Sequence, residues 1–481
     1  MRKEIIQPAR LRKSQYGVDP ALVKKRGAEL PGMTSVRITD LFPELPQTIY
    51  PGKEGAAAVR RETEAALANV DMSRIKPGQT VNILTSHHGF TILGGEPYVE
   101  MIRTIKDVVV KRTGAKVRLR AGVGLRFRET EEYIKSFGLD LYFEGEAMGM
   151  APIDRGIPIE TEIGTLYGLK KTYDADWIIH AHNSDVREIH FHRQVDRAIK
   201  PFGMSYARIE TRSTYHQNLG PRGANFVARS IFNSPFVQSK FAFASFLIMS
   251  PHGVVKVDAD NDLDSLDQRV NVAGLKYYGK ILNLMGEIDS CITILDFSCP
   301  VCYVFAAGVI YANFLGANRD LFDLDGTPLP PYTWYTEAFY DKAGSPMVKE
   351  IPPINPAIKM VVQNHAWVGY PSKFFSDQVP TVVVGNEQAE LFNLDSQNHR
   401  YMENAVVAET LEGAMDFARR LTGTDQVIIF DGAAGGLNLS EPLAKRLEEA
   451  APGVRERVDR ELLPKWMKQR GIDLKVLEQI P

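Results

Sequence analysis

The sequence predicts an α/β protein of two domains, each built on a largely parallel sheet, and three observations carry that expectation. Strand-like and helix-like segments alternate from residue 75 onward: KPGQTVNILTS gives a turn and a buried strand, EPYVEMIRTIKDVVVKRTG (96 to 114) a helix, and KVRLRAGVG another strand. Such βαβ alternation reads as a parallel sheet covered by helices. A second alternation starts at CITILDF (291 to 297), after a long helix over 262 to 286, which places a boundary near Gly286. The third observation is size: 481 residues, 44% of them hydrophobic, suffice for more than one sizeable core.

Taken in order, residues 1 to 55 read as an extended arm, because Pro8, Pro20, Pro31, Pro43, Pro46 and Pro51 interrupt any long element. GAAAVRRETEAALANV (55 to 70) has helical composition and periodicity and opens a first α/β domain, 56 to 286. GPRGANFVARSIFNSPFVQSKFAFASFLIM supplies a helix and a buried strand before the long helix. The second α/β domain spans 287 to 425, with a strand in VPTVVVGN (379 to 386). Inside it, 321 to 357 reads as a long loop with seven prolines and the aromatics Tyr332, Trp334, Tyr335, Phe339 and Tyr340, suited to a substrate lid or a subunit contact in a homo-oligomer. A closing strand in QVIIFDG (426 to 432) and amphipathic surface helices from Glu441 complete the chain, 426 to 481.

The formal charge is −2, from 57 basic and 59 acidic residues, so nothing favours nucleic acid or an anionic membrane as a partner. The basic N-terminus lacks the apolar core of a signal peptide, and the longest apolar runs, 241 to 249 and 302 to 315, are shorter than the roughly 20 residues of a membrane helix. A cytoplasmic protein is expected. The three cysteines, Cys291, Cys299 and Cys302, fit a reducing compartment. Cys299 and Cys302 form a CPVC motif that is open to redox or metal chemistry, or to small buried residues at a strand-to-helix turn.

Asp176 to His216 concentrates the polar chemistry, with five of the ten histidines, Lys200 and five arginines. Trp177 to Ile179 read as a buried strand, and the polar run after them as a loop at its carboxyl end, where α/β proteins bind ligands. EIHFH places His190 behind Glu188; Lys200 follows ten residues later and His216 sixteen after that. His180 and His182 share a face if the strand continues through them. Two H-x-H pairs also suit zinc or another divalent metal, and any single one of these histidines reads first as a hydrogen-bonded structural residue. Upstream, Gly94 and Gly95 precede a helix and either let backbone amides approach a phosphate or form a tight loop.

With those intervals the segment resembles the nickel-dependent lactate racemase family of α-hydroxyacid racemases and epimerases, whose counterpart has Glu-x-His-Phe, a lysine ten residues on and a histidine sixteen further. VNILTSHHGFT (81 to 91) is similar to the family's strand and Ser-Asp-His-Thr-Arg loop: Ser86 and His88 match, while His87 and Phe90 replace the Asp and Arg. RETEEYIKSFG (128 to 138) and AETLEGAMDFARRLTGTDQVIIFDG (408 to 432) resemble family helices and the closing strand, so the likeness covers roughly 75 to 320 and 360 to 435. It implies a lactate-racemase-like fold and a nickel-pincer nucleotide, a pyridinium thioamide/thiocarboxylate mononucleotide, borne covalently by Lys200. It further implies nickel held by His216 and by the group on Lys200, acid/base catalysis by His190, and maturation proteins that build the cofactor.

The departures redirect the substrate. The family's second catalytic histidine falls near Leu125, with Arg126 beside it; its polar substrate anchors fall in the apolar run 304 to 314; its Gly-Gly-Arg before the lysine is missing. The expected substrate is therefore a small-molecule 2-hydroxy acid other than lactate, with Arg126, Arg187 and Arg193 as carboxylate partners. His88 and His182, with His180 and His192, are the candidates for the second acid/base group. Moving the α-hydrogen as hydride while a histidine takes the hydroxyl proton avoids a carbanion. A lysine amine suits a covalent tether, and neutral imidazole suits nickel. Two readings stay open beside this one: a metalloenzyme using the His180–His216 cluster without the nucleotide, and a non-catalytic ligand-binding relative.

Overall fold

The computed structural model describes residues 4–11, 18–123, 129–184, 186, 198–217, 223–297, 314, 320–325, 354–365, 373–394 and 401–480. Along the chain the strands are β1 (Met33–Arg37), β2 (Thr80–Ser86), β3 (Lys116–Gly122), β4 (Ala147–Met150), β5 (Gly156–Thr161), β6 (Gly164–Leu169), β7 (Trp177–Asn183) and β8 (Phe241–Ser250). They continue with β9 (Gly253–Asp260), β10 (Cys291–Asp296), β11 (Ile358–His365), β12 (Thr381–Val384), β13 (Ala405–Ala408), β14 (Val427–Phe430) and β15 (Gly436–Ser440). Two compact units result. The first holds Pro46–Val186, Gln194–Lys276 and Arg470–Pro481; the second holds Met1–Leu45 and Tyr277–Gln469.

In the first unit the sheet order is β4-β3-β2-β7-β8-β9, parallel except for the antiparallel β8–β9 pair. β3 and β4 lie on one side of β2, and β7 and β8 on the other, so the strand order reverses between β2 and β7. In open α/β sheets the carboxyl ends of the strands at such a reversal frame the ligand crevice. The helix Glu96–Thr113 covers this sheet because Tyr98, Met101, Ile102, Ile105 and Val109 recur at helical spacing and are all buried. It ends on Gly114, left-handed at φ 69°, whose N–H bonds the Val110 carbonyl at 3.0 Å.

The second unit has the order β1-β15-β14-β10-β11-β12-β13, parallel from β14 to β13 and antiparallel at β1 and β15. Its core sets Ile292, Ile294, Met360, Val362, Val427 and Ile429 of the strands against Leu411, Ala414, Met415 and Ala418 of the helix Leu411–Thr422. Here the order reverses between β10 and β14. Both units are thus α/β with parallel-dominated sheets, as the alternation predicts.

Several local expectations change. The arm 1 to 55 is not free of elements, since Met33–Arg37 pairs along its whole length with Gly436–Ser440. It also divides, with Met1–Leu45 in the second unit and Pro46 onward in the first. Continuous helix Leu263–Met285 crosses the division at Tyr277, because helical periodicity carries no mark where one core ends and another begins. The tail from Glu441 is more than a surface layer: Trp466 is fully buried and donates to Asp320 at 2.7 Å, and the Phe322 ring sits 5.0 Å from it. Asp320 to Asp325 are thereby anchored, while 326 to 353 of the proline-rich loop, with its five aromatics, lie outside the described residues. Among the described residues no helix is long and apolar enough to cross a membrane.

Candidate functional site

β2 ends at Ser86 and β7 at Asn183, the two strands flanking the reversal in the first unit. The buried Tyr98 phenol ties them together, donating to the Ala181 carbonyl at 2.7 Å and accepting from the Ser86 N–H at 3.3 Å. Its ring explains the glycine in HHGF, since a Cβ on Gly89 would lie 2.3 Å from Tyr98. Burial pushes this phenol well above its ordinary range, so it stays neutral.

Over the same edge lies the segment Ala198 to Tyr206, which carries Lys200. Lys200 opens a single helical turn, Lys200–Gly203, with Pro201 in its first turn, where a missing N–H costs nothing. His180 of β7, fully buried, fastens both ends of the segment: Nε2 lies 2.9 Å from the Ala198 carbonyl and Nδ1 2.9 Å from the Tyr206 hydroxyl. A carbonyl only accepts, so Nε2 carries the proton and Nδ1 accepts from Tyr206. Burial pushes the His180 imidazole down to about 3, against the opposing pull of the Ala198 carbonyl, and the ring is neutral.

Three further contacts hold the segment. Ser205 Oγ is 3.0 Å from Ser86 Oγ, the Leu169 N–H donates to the Tyr206 carbonyl at 2.9 Å, and the Ser205 carbonyl lies where a Cβ on Gly122 would come within 2.2 Å. The lysine segment is therefore seated on the carboxyl ends of β2, β3 and β7. Lys200 itself is buried, at 8% exposure.

His216 lies in the last turn of the helix Ile209–Gln217. The turn Lys200–Gly203 packs on that helix directly: a Cβ on Gly203 would meet the Tyr215 ring at 2.9 Å, and Ala228 of the following helix, Gly223–Phe232, at 3.3 Å. The sequence intervals thus place Lys200 and His216 on two neighbouring helical elements, while the His216 side chain lies outside the described residues. His190, His192, Arg126, Arg187, Arg193, Cys299 and Cys302 also lie outside them.

β7 does continue through both His180 and His182, whose ring centroids are 5.6 Å apart. His182 accepts the Asn183 N–H on Nδ1 at 2.7 Å and stacks on Phe246. His88 follows the end of β2 and is buried beside His87, with ring centroids 4.0 Å apart. Gly94 and Gly95 have left-handed φ of 80° and 88°. A Cβ on Gly95 would stand 2.5 Å from the Phe90 carbonyl and from the Phe137 ring, so Gly95 has a packing reason of its own, and Glu96 already places a carboxylate in the first helical turn. Tyr206 and Ser205, which do much of the fastening, carry no sequence spacing that would have singled them out. Among the described residues no three His, Cys, Asp or Glu side chains are placed to hold a metal.

No protein-family model matches the sequence, and no curated protein does. Among solved structures, the chain is similar to the lactate racemase apoprotein from Thermoanaerobacterium thermosaccharolyticum, at 14% identity over 78% of this chain and 92% of that one, with a TM-score of 0.45.

The second unit's reversal is built differently. Asp296 ends β10, and Asp431 follows β14; both carboxyls are buried. Arg26 from the N-terminal arm enters this edge, with Nε 2.9 Å from Asp296 Oδ2 and a second guanidinium nitrogen 2.8 Å from the Asp296 carbonyl. Gly27 N–H donates to Asp296 Oδ2 at 2.8 Å, and Asn364 donates to Oδ1 at 2.9 Å. Burial raises the Asp296 carboxyl above the usual range despite Arg26, and raises Asp431 to about 6 despite the bond from Asn438. Neighbouring His365 is buried, which with the nearby Arg26 charge pushes its imidazole down to about 4, against the opposing pull of the Val18 and Phe297 backbone; neither ring nitrogen meets a full hydrogen-bond geometry.

Proposed function

We propose that this chain is a racemase-like isomerase of a 2-hydroxy acid other than lactate, with Lys200 as the covalent attachment point of a nickel-pincer nucleotide. The observation that carries this reading is the seating of a buried lysine on the carboxyl ends of β2, β3 and β7, at the strand-order reversal. Lysine is among the residues least often buried, and this edge is where α/β sheets bind ligands. The residues present fit a tethered group, because the helix bearing His216 packs on the turn that begins with Lys200.

When bound, the nucleotide would supply a hydride acceptor and a metal. The chain's own part is to hold and orient. Lys200 fixes the group through its amine, His216 offers imidazole nitrogen, and His190 takes the substrate hydroxyl proton. Arg126, Arg187 and Arg193 serve the carboxylate. For the second proton-transfer group, His88 and His182 lie at the ends of the two strands flanking the reversal. Phe90 and the 304 to 314 run, in place of polar anchors, favour a substrate other than lactate. A metal site built on His180 without the nucleotide is disfavoured, because both its ring nitrogens are already engaged.

Protein produced together with pincer maturation enzymes should carry a covalent mass increment on the Lys200 peptide. Lys200→Arg should abolish the increment, and His216→Ala should lose nickel while keeping it, since tethering and coordination are separate bonds. Turnover of a 2-hydroxy acid by protein without any increment would overturn the proposal.

A further inference from the structure

His180 invites a chemical role by its place in the histidine-rich stretch, yet its geometry excludes one. An acid/base group or metal ligand needs a ring nitrogen that can exchange its partner, and both nitrogens of this fully buried ring are committed to groups of a single short segment. Ala198 lies two residues before Lys200 and Tyr206 six after it. One imidazole thus closes the loop in which the lysine sits. Within the loop, the Pro201 carbonyl accepts from Met204 N–H at 3.2 Å and from Tyr206 N–H at 2.9 Å, which turns the chain back toward β7. The ring is also wedged among Phe202, Tyr206 and Phe246, with centroids 5.2 to 5.5 Å away. It can neither rotate nor take another partner without giving up the loop.

We infer that His180 is the positioning residue for Lys200: it locks the Ala198 to Tyr206 loop onto β7 and so fixes where the lysine amine is presented. The inference rests on reading Lys200 as the working amine, but not on which group that amine carries. A covalent reaction of an amine is sensitive to its placement, and a long lysine side chain reaches a defined point only if its backbone is held. The neutral Nε2–H tautomer is the form that serves, because a protonated ring would turn Nδ1 into a donor and make Tyr206 reverse its hydroxyl.

The test reads the amine directly in the full-length protein without cofactor. Lysines are acetylated with limiting N-hydroxysuccinimidyl acetate at fixed pH, and the rate at Lys200 is compared by peptide mass spectrometry with that at Lys116, an exposed lysine of the same unit at the opposite end of β3. A lock keeps the wild-type amine buried and slow. Tyr206→Phe, which removes one oxygen and one hydrogen bond, should raise the Lys200 to Lys116 ratio by about fivefold, and His180→Phe, which removes both bonds, by about thirtyfold. His180→Gln places an amide donor near the Nε2 position and should fall back toward wild type. A merely structural histidine would loosen the unit evenly, which hydrogen exchange across β2 and β3 would report, and would give no rescue by glutamine.

An unchanged ratio in Tyr206→Phe and His180→Phe, or a ratio that rises only in step with exchange throughout the unit, overturns the inference. Should His180→Phe fail to fold, Tyr206→Phe decides alone. The two readings fail separately. Wild type without an adduct but with this labelling pattern removes the nucleotide and keeps the lock; an adduct together with a flat labelling pattern does the reverse.

Discussion

Removing the Arg26 guanidinium should open the carboxyl edge of the second unit. Asp296 is a fully buried carboxylate that accepts from Arg26 Nε, from the Gly27 N–H and from Asn364. Breaking a buried ion pair from one side costs about 3–5 kcal/mol, because the surviving charge is left uncompensated. Two neutral donors remain to Asp296, and the Arg26 side chain keeps 19% exposure, so Arg26→Met belongs at the lower end, about 3 kcal/mol. Asp296→Asn leaves a partly hydrated guanidinium with its carbonyl acceptors and should cost about 1–2 kcal/mol. In the double variant no charge is stranded, and its cost should lie at least about 1 kcal/mol below the sum of the singles. Amide hydrogen exchange of the peptides spanning β10 and β14 is the assay, because it reads this unit alone; Arg26→Met should speed exchange there roughly a hundredfold. Additive single and double variants, or exchange in Arg26→Met within about twofold of wild type, would refute the reasoning.

Two further outcomes are expected. Burial lifts the Asp431 carboxyl from 3.8 to about 6, so between those values the folded state holds the proton more tightly than the unfolded chain. Its contribution to the second unit's stability is present below about pH 4 and is lost as pH rises to about 6; Asp431→Asn should flatten that part of the pH profile of exchange in β14, and a retained slope would count against it. Gly95→Ala should lower stability by about 1–3 kcal/mol, since its left-handed backbone and the Phe90 carbonyl both resist a Cβ, while Gly138→Ala, strained in φ but with open space around it, should cost less. Equal thermal shifts for the two glycine variants would show that packing at Gly95 is not the cause.

What the sequence reveals is local, and what it hides is long-range. The apolar run Trp177 to Ile179 marks a strand, and its continuation through His180 and His182 puts both on one face; the run of prolines rightly keeps long helices out of the arm. The same prolines conceal Met33–Arg37, because its register comes from Gly436–Ser440, some four hundred positions away. The role of His180 is likewise invisible, since it is decided by Ala198 and Tyr206 returning across the sheet. Arg26 and Asp296, 270 residues apart, form a pair that no window of sequence contains.

Strand order alone would nominate two sites, because each sheet reverses once, between β2 and β7 and between β10 and β14. The chemistry at the two edges separates them. At the second, a guanidinium from the chain's own arm satisfies Asp296 at the end of β10 and reaches the Asp431 carbonyl just after β14. At the first, the chain instead brings a primary amine to the strand ends and spends a histidine, a tyrosine and two serines on holding its backbone still. Filling space at that edge does not call for a lysine, since an apolar side chain would serve it. That difference, more than the spacing of histidines, is why Lys200 rather than the carboxylate pair is the place to look for the chemistry.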